Sequence, residues 1–268
     1  MRTADVGLSG WWHRFLKVNR AICDERIAPR LHAIGHVVAL DCLFDRWVAS
    51  AIREPRGALL EFGCGRTFHY SRRFDSSFET RLATDIDLIE PCEVPPGVVF
   101  RRCTEERLPF EDASADVVIA RSVLEHVREP SVTFRELSRV LKAGGVLCCN
   151  LPNKWDYVSL AARLLKGRKG RVLHALLGMD YEDVPVFYRC NTRRSLMRHA
   201  ARAGFRLEVY RPLPSAPVYL SFFVPAYVLG SVYQFLIGIL CLDVLQPSFV
   251  VRLRKADGGV NVAPENRS

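Results

Sequence analysis

Two glycines and a carboxylate are spaced in a way that could hold a nucleoside cofactor. Gly63 and Gly65 follow the short apolar segment 58–62 and precede a helix-like stretch. Glycine at such a strand-to-helix turn permits a tight bend and lets a ligand approach the backbone. Asp85 lies 22 residues beyond Gly63, at the end of the next apolar segment, and a carboxylate at this spacing can accept hydrogen bonds from a ribose diol. The spacing predicts a nucleoside-binding site, with an ordinary strand-to-helix turn as the alternative.

The next position of the glycine loop restricts the choice of cofactor. Dinucleotide-binding loops carry a third glycine, in the pattern G-x-G-x-x-G, so that a pyrophosphate can sit against the helix N-terminus. Phe68 occupies that position in this chain. The bulky ring argues against NAD and FAD. A cofactor that has a ribose but no phosphate needs the third glycine less, and S-adenosylmethionine is the common example.

Strands alternate with helices along the part of the chain that must position these residues. We predict strands over 58–62, 81–87, 97–103, 115–120, 146–152, 205–211 and 248–255, and helices over 8–52, 131–145 and 192–205. Strands and helices that alternate at this spacing indicate a parallel sheet covered on both faces. The fold class is therefore predicted to be α/β with a doubly wound sheet.

Composition sets further limits. The chain has 268 residues, of which 49% are apolar and 25% charged, enough for one α/β domain or at most two small ones. These values argue against global disorder, collagen and coiled coil. Nine cysteines form no CxxC pair, and the first ten residues lack the long apolar core of a secretory signal. We therefore expect a reducing, cytoplasmic environment without a disulfide framework or a zinc site.

The positive charge is concentrated in the C-terminal part. Residues 1–150 hold 21 Lys and Arg against 21 Asp and Glu, whereas residues 151–268 hold 17 against 8, which gives the net charge of +9. A basic region beside an apolar one favours contact with an anionic surface, such as a membrane, or with a phosphorylated substrate. A solvated basic face is the alternative.

Several sequence motifs, taken together, carry a family resemblance. They are EFGCG (61–65), TDID (84–87), EERLPFEDASADVV (105–118), VLEHV (123–127), RELSRVLKAGG (135–145) and NLPN (150–153). Over residues 55–153 the chain resembles the class I S-adenosylmethionine-dependent methyltransferases, and among them the small-molecule, methyltransferase-11-like subgroup with the ubiquinone-type and sterol-type enzymes. The resemblance implies S-adenosylmethionine as cofactor. It also implies a seven-stranded sheet, mostly parallel with an antiparallel last strand, and helices on both faces.

The resemblance also suggests a division of the chain. Residues 1–52 would form an N-terminal helical segment, and residues 53–255 the methyltransferase domain. Within that domain, 154–190 and 212–247 would be cap or insertion segments, the second an apolar helical insertion between strands six and seven. Residues 256–268 would be a flexible tail.

Roles at the cofactor follow from the resemblance, residue by residue. Glu61, Gly63 and Gly65 would line the methionine end of the cofactor. Asp85 would hold the ribose hydroxyls, with Ile86 beside the adenine.

Two further positions depart from the family pattern. Thr104 stands where the family often has an acidic residue at the adenine amino group, and the adjacent Glu105 is the alternative for that role. The backbone near Arg121 would face the methionine amino group, although the family commonly has a small or apolar side chain there.

His126 is the candidate catalytic base, because it follows strand four at the carboxyl edge of the sheet, where ligands bind in such folds. A structural histidine is the alternative. Glu125 and His126 resemble two residues of a magnesium site in the ubiquinone-type O-methyltransferases, which also contains an earlier glutamate. Ser122 occupies the earlier position in this chain. Since a hard dication prefers several oxygen ligands, we expect no metal.

An uncharged run, 217–242, exceeds the roughly 20 residues needed to cross a bilayer. However, a single span would separate strands six and seven, which belong to one sheet. We expect the run either to double back at Pro225 and Gly230 or to lie in the membrane interface as a lid, helped by a basic helix over 163–171. The predicted partner is thus the inner face of a membrane, contacted peripherally. A lid packed on the sheet or on a second subunit is the alternative.

These observations lead to one predicted function and two competitors. The predicted function is S-adenosylmethionine-dependent methyl transfer to a small-molecule or lipid-linked acceptor at oxygen. Because Thr67, Thr104 and Arg121 are unusual, the alternative is a non-catalytic, membrane-associated binding module on a degenerate methyltransferase fold. Charge alone suggests a nucleic-acid methyltransferase, but no N/D-P-P-Y motif occurs and we expect no nucleic-acid partner. The acceptor itself is open among sugars, polyprenyl lipids, quinones and fatty acyl groups.

Overall fold

The computed structural model describes residues 10–33, 40–51, 57–86, 93–165, 167–179 and 184–256. Its strands are β1 (Ala58–Phe62), β2 (Thr80–Asp85), β3 (Val98–Arg102), β4 (Ala115–Arg121), β5 (Leu141–Pro152), β6 (Phe205–Leu213) and β7 (Ser248–Lys255). Its α-helices are α1 (Gly10–Ile22), α2 (Ala28–Ala33), α3 (Leu40–Ala51), α4 (His69–Arg73), α5 (Pro130–Val140), α6 (Tyr157–Leu164), α7 (Arg168–Leu176), α8 (Arg193–Arg202) and α9 (Val224–Ile239). A π-helical segment (Cys23–Ile27) joins α1 to α2, and short 3₁₀ turns occur at Leu124–His126, Val218–Leu220 and Asp243–Leu245.

All seven strands belong to one sheet in the order β3-β2-β1-β4-β5-β7-β6. The pairs β2–β3, β1–β2, β1–β4 and β4–β5 are parallel. β7 runs antiparallel to β5, because Asn150 near the end of β5 donates to the carbonyl of Phe249 near the start of β7, whereas Arg254 near the end of β7 donates to that of Gly144. The predicted fold class is confirmed.

Two compact units divide the chain. The sheet unit comprises Trp47–Leu151, Val186–Arg211 and Phe249–Ser268. The helical unit comprises Met1–Arg46, Pro152–Pro185 and Pro212–Ser248. The sequence divides the helical unit into an N-terminal segment and two separate insertions, whereas the structure groups the three together. The predicted tail lies outside the described residues from position 257 onward.

The core of the sheet unit follows the predicted pattern. Every residue of β1 is buried, as expected for a parallel strand covered on both faces. On α5, Phe134, Leu137 and Val140 are fully buried, as predicted for its apolar face, whereas Leu141, which was expected on the same face, is buried in β5.

The boundary between α5 and β5 differs from the prediction. The helix expected over 131–145 ends at Val140, and Leu141 has an extended backbone and pairs with Ala115 of β4. Gly144 and Gly145 therefore do not stop a helix. They lie in β5 beside a shift in its register with β4, between Ala115 and Val117. A Cβ on Gly145 would lie 2.9 Å from the carbonyl oxygen of Lys142 in the same strand and 3.1 Å from that of Asp116 in β4, so crowding from both strands accounts for that glycine.

The basic helix expected over 163–171 is wrong as a continuous element. Gly167 has a φ of 62° and separates α6 from α7. This left-handed backbone is open to glycine and interrupts the helical hydrogen bonding. The basic residues consequently lie on two short helices.

The apolar run doubles back, but neither predicted break point interrupts its helix. Pro225 lies in the first turn of α9, where a proline is tolerated because its missing N–H would have no helical partner. Gly230 lies inside α9, where a Cβ would approach Leu220 Cδ1 at 2.7 Å and Pro217 Cβ at 2.9 Å. The segment before α9 thus folds back on the helix at Gly230. In the part of the chain that the structure describes, no helix combines the length and apolar character needed to cross a bilayer.

Contacts from α1 hold the helical unit together. The rings of Phe15 and Phe223 stack with centroids 6.4 Å apart, and Val224 N donates to Asn19 Oδ1 at 2.9 Å. Trp12 Nε1 donates to the carbonyl of Leu176 at 2.7 Å. α1 therefore packs beside both the start of α9 and the end of α7.

Candidate functional site

The register of the central strands brings the predicted loop and carboxylate to one edge of the sheet. Phe62, the last residue of β1, pairs with Thr84 of β2 and with Ala120 of β4. Gly63, Asp85 and Arg121 each follow the paired residue of their strand, so all three emerge at the carboxyl edge. In open α/β sheets this edge is where ligands bind.

Asp85 lies directly against the glycine loop. Gly63 N and Cys64 N both donate to the carbonyl of Thr84, at 2.8 and 3.2 Å, which ties the loop to the end of β2. Gly65 N donates to Asp85 Oδ2 at 2.8 Å, and Ile86 N donates to Oδ1 at 2.8 Å. Because each carboxylate oxygen can accept two hydrogen bonds, both oxygens can also accept from a ribose diol. The geometry required for a ribose-binding carboxylate is present.

The two loop glycines are needed for different reasons. Gly63 has a φ of 76°, and a Cβ there would lie 2.1 Å from Val123 Cγ2. Gly65 has a φ of 54°, and a Cβ there would meet no atom within 4 Å. Gly63 thus allows the loop to pass close to Val123, whereas Gly65 leaves open space above the loop.

A cavity of ≈ 240 Å³ lies against this loop. It is lined by Glu61, Phe62, Gly63, Cys64, Gly65, Thr67, His69, Tyr70, Ile119, Arg121 and Ser122. Four residues predicted to bind a cofactor are therefore brought together around one space, and Asp85 joins them through its hydrogen bond with Gly65.

Glu61 both lines the cavity and supports its wall. The carboxylate is buried and accepts hydrogen bonds from Tyr70 N at 3.1 Å, from Ser71 N at 2.9 Å and from Ser71 Oγ at 2.6 Å. Burial raises the pKa of Glu61, and the hydrogen bonds from Ser71 and Tyr70 partly oppose that rise. The carboxylate thereby holds the first turn of α4 beside the glycine loop.

The third position of the loop is filled by a buried ring. Phe68 has a left-handed backbone with a φ of 48°, is fully buried, and packs edge-on against Phe100 with ring centroids 5.8 Å apart. It also contacts Cys64 and Ala83. The Phe68 ring therefore fills the place in which a dinucleotide-binding loop would hold a pyrophosphate.

Ile86, Thr104 and Glu105, which are predicted to lie near the adenine, have different surroundings in the structure. Ile86 follows Asp85 and is 52% exposed. Thr104 Oγ1 accepts from Glu106 N and Arg107 N, and Thr104 lines a second cavity of ≈ 400 Å³. Glu105 forms an ion pair with Arg128, whose Nε is 3.8 Å from Glu105 Oε2. Neither Thr104 nor Glu105 lines the glycine-loop cavity, so their roles stay predictions.

His126, the predicted base, ends a 3₁₀ turn and does not line the glycine-loop cavity. Its imidazole is 37% exposed, and its Nε2 lies 4.0 Å from Glu125 Oε1. Glu125 is buried, its Oε2 has no hydrogen-bond partner, and burial raises its pKa to about 7. Among the residues with described positions, no three His, Cys, Asp or Glu side chains form a group that could hold a metal.

Glu125→Gln should change how stability depends on pH. The folded protein keeps a proton on Glu125 between pH 4.5 and about 7, where the unfolded chain has released it. The free energy of unfolding therefore falls as the pH rises through this window, by about 3 kcal/mol from this group. Glutamine does not titrate, so the variant should escape this loss in urea unfolding followed by circular dichroism. Glu106→Gln, at an exposed carboxyl group, is the control and should follow the wild type; a parallel loss in Glu125→Gln would contradict the prediction.

Sequence reasoning missed part of the cavity wall. His69 and Tyr70 line it from the start of α4, and Ser122 lines it from the residue after β4 with a left-handed φ of 51°. The only available signal is position, since these residues directly follow the glycine loop or a parallel strand. Their side-chain directions depend on the positive φ values at Phe68 and Ser122, which no sequence pattern indicates.

The fold and the site define a class of protein: a doubly wound α/β protein with a cavity beside a glycine loop, at the carboxyl edge of its central strands. Residues 60–149 match the methyltransferase domain family. A probable S-adenosylmethionine-dependent methyltransferase of Mycolicibacterium smegmatis is 32% identical over 171 residues, which cover 59% of this chain and 66% of that protein. Over residues 60–149 the chain therefore carries a domain similar to the class I S-adenosylmethionine-dependent methyltransferases, and the cofactor that this similarity implies is S-adenosylmethionine.

Solved structures support the fold. A putative methyltransferase from Bacillus halodurans has a TM-score of 0.54 at 16% identity, covering 80% of this chain and 98% of that one. The [4+2]-cyclase SpnF has a TM-score of 0.52 at 17% identity, covering 81% of each chain. Because one neighbour is named as a cyclase, the fold alone does not determine the reaction. The chain spans about two fifths of the length of the first curated relatives that it matches.

The residues of the site fit this cofactor. The space above Gly65 is open, the carboxylate of Asp85 lies at its edge, and no third glycine for a phosphate is present. An acidic residue, Glu61, and a basic residue, Arg121, both line the cavity.

Proposed function

We propose that this protein transfers a methyl group from S-adenosylmethionine to an oxygen of a small-molecule or lipid-linked acceptor. The observation that carries the proposal is the hydrogen bond from Gly65 N to Asp85 Oδ2 beside the open cavity. The uncharged run 217–242 supports an apolar acceptor, and the resemblance to ubiquinone-type O-methyltransferases supports oxygen as the methylated atom.

The chain's own residues divide the work of binding. Asp85 accepts from the two ribose hydroxyls, and the backbone at Gly63 and Gly65 lies against the methionine part. Glu61 keeps the start of α4 in place through Tyr70 and Ser71. When bound, S-adenosylmethionine supplies a methyl group activated by a positively charged sulfur. The protein contributes alignment of the acceptor oxygen, and His126 is proposed to take its proton.

Arg121 receives a specific role in this proposal. The resemblance implies only that its backbone faces the methionine end, where an arginine side chain is unusual. Arg121 lines the same cavity as Glu61 and Gly63. A guanidinium pairs well with a carboxylate. We assign Arg121 to the carboxylate of the cofactor's methionine part.

Arg121→Met should weaken binding of S-adenosylhomocysteine about tenfold, because one charge-assisted hydrogen-bonding partner is lost in a partly open site. Binding of 5′-methylthioadenosine, which lacks the carboxylate, should stay within twofold of wild type, about the error of such a comparison. Isothermal titration calorimetry with both ligands measures this. Arg206→Met, at an exposed arginine on β6, is the matched control and should leave both affinities unchanged. Equal losses for the two ligands would contradict the assignment.

The proposed reaction is tested in two stages. Calorimetry with S-adenosylhomocysteine first establishes cofactor binding by the folded chain. Transfer of label from methyl-labelled S-adenosylmethionine into the lipid and polar fractions of cells lacking the protein then identifies the acceptor class. Failure to bind S-adenosylhomocysteine, with the fold intact by circular dichroism, would overturn the proposal. Binding without transfer into either fraction would favour the non-catalytic binding module.

A further inference from the structure

Helix α9 has its polar and apolar faces reversed relative to a helix on a water-facing surface. Its buried face consists of Tyr227, Gly230, Ser231, Gln234 and Ile237. Its exposed face carries Val228, Leu229, Val232, Phe235, Leu236 and Ile239, which are 43–71% exposed. These six residues recur at spacings of three and four and form one continuous stripe. A surface helix normally turns its polar residues outward and buries the apolar stripe.

Exposed apolar side chains are concentrated in the helical unit. Of the large apolar residues found exposed in the described part of the chain, all but Ile86 and Val99 belong to that unit. Trp11 on α1 is 66% exposed and Leu164 on α6 is 79% exposed. Single exposed apolar residues are common in soluble proteins, but a contiguous apolar patch indicates a surface that binds another molecule or a membrane.

The same unit supplies positive charge around the apolar face. Helices α1, α6, α7 and α9 contain no Asp or Glu. Together they carry Arg14, Lys17, Arg20, Arg163, Arg168, Lys169 and Arg171. Lys17, Arg168 and Lys169 are exposed. These four helices are therefore complementary in charge to an anionic surface, whereas the exposed acidic residues Asp24 and Glu25 of the same unit lie in the segment that follows α1.

The basic helices and the apolar helix are parts of one body. α1 contacts the start of α9 through Phe15 and Phe223, and it contacts the end of α7 through the hydrogen bond from Trp12 to Leu176. A groove of ≈ 360 Å³ along α1 is lined by Trp11, Arg14, Phe15, Val18 and Asn19. Aromatic and cationic side chains with apolar stems are the types that favour a membrane–water interface.

We propose that the helical unit is a docking surface for an anionic lipid bilayer. The exposed face of α9 lies in the boundary between head groups and acyl chains, and Lys17, Arg168 and Lys169 contact anionic head groups. This extends the contact predicted over 217–242 to α1, which the sequence did not associate with it. A second copy of the chain fits less well, because pairing the same basic surface would bring like charges together. The proposal does not depend on methyl transfer.

Co-flotation of the full chain with vesicles tests the apolar part of the proposal. The wild type should float with vesicles of phosphatidylcholine and phosphatidylglycerol. The double variant Leu229→Glu/Leu236→Glu should bind them at least about tenfold more weakly, because two charges would enter the apolar boundary. Val99→Glu, which changes an exposed valine on β3 of the sheet unit, is the matched control and should float like the wild type.

The charge contribution is measured separately. Arg168→Gln/Lys169→Gln should lower binding to the phosphatidylglycerol vesicles about 25-fold, since each basic residue near an anionic surface adds about a fivefold effect. It should not change the weaker binding to phosphatidylcholine alone. Circular dichroism and S-adenosylhomocysteine calorimetry on every variant show whether the two units stay folded.

Two results would overturn the proposal. The first is flotation of folded Leu229→Glu/Leu236→Glu equal to that of the wild type. The second is a lipid-free dimer of the wild type that this variant converts to a monomer, with no vesicle binding by either; that result would assign the face to a second copy of the chain. Light scattering in the absence of lipid provides the second measurement.

Discussion

Replacing Asp85 with alanine should weaken the binding of S-adenosylhomocysteine by at least about 100-fold. Asp85 would accept hydrogen bonds from two ribose hydroxyls, and hydrogen bonds to a charged group contribute about 1.5–3 kcal/mol each. Its Oδ2 also accepts from Gly65 N, so the alanine variant loses a contact that shapes the loop. Both effects act in the same direction. Isothermal titration calorimetry with the purified full chain measures the change.

A ribose-specific comparison separates recognition from loop damage. The wild type should discriminate strongly against the 2′-deoxyribose analogue of S-adenosylhomocysteine, whereas Asp85→Ala should bind the two ligands nearly equally. Asp75→Ala removes an exposed carboxylate outside the site and should behave like the wild type. The central claim fails if Asp85→Ala keeps wild-type affinity, or if it discriminates between the ligands as the wild type does.

Gly63→Ala should lower the free energy of unfolding by about 3 kcal/mol, which combines a left-handed backbone penalty with overpacking. The added Cβ would lie 2.1 Å from Val123 Cγ2 and 3.1 Å from Val123 Cβ. A rotamer change at Val123 moves the first atom but not the second, so the strain cannot be fully relieved. Urea unfolding followed by circular dichroism measures the loss.

Two variants separate the causes of that loss. Gly65→Ala has a positive φ but no neighbour within 4 Å, so it should cost only about 1 kcal/mol of stability. Because Gly65 lines the cavity, it should nevertheless weaken S-adenosylhomocysteine binding. Gly63→Ala should lower the free energy of unfolding less in the Val123→Ala background than in the wild type, because the smaller side chain removes part of the clash. Equal costs at Gly63 and Gly65 would show that packing against Val123 contributes nothing.

Local patterns in the sequence were sufficient for most of the sheet. β1 and β7 have the predicted bounds, and the other strands differ only at their ends apart from β5. The α5–β5 boundary was wrong because Gly144 and Gly145 are equally typical of a helix end and of a strand irregularity. Pairing of Leu141 with Ala115 decides between them, and that pairing joins residues far apart in the chain.

The candidate site was predictable where it depends on backbone spacing. Gly63, Gly65 and Asp85 follow consecutive parallel strands, so their meeting at one edge follows from the alternation of strands and helices. Side-chain direction was not predictable to the same degree. Thr104 turns to the backbone of Glu106 and Arg107, and His126 lies outside the glycine-loop cavity.

The sequence by itself determined the class of fold and the approach of Asp85 to the glycine loop, because strand periodicity and residue spacing are local properties of the chain. The cofactor was implied by the family resemblance of the sequence motifs. Only the tertiary structure decided that α1, α6, α7 and α9 form one unit. It also decided that α9 turns Ser231 and Gln234 inward and Leu229 and Leu236 outward. The physical reason is that α9 is almost uniformly apolar, so its composition does not specify a buried face. Contacts from Pro217, Leu220 and Phe15, which are distant or folded back in the chain, select that face.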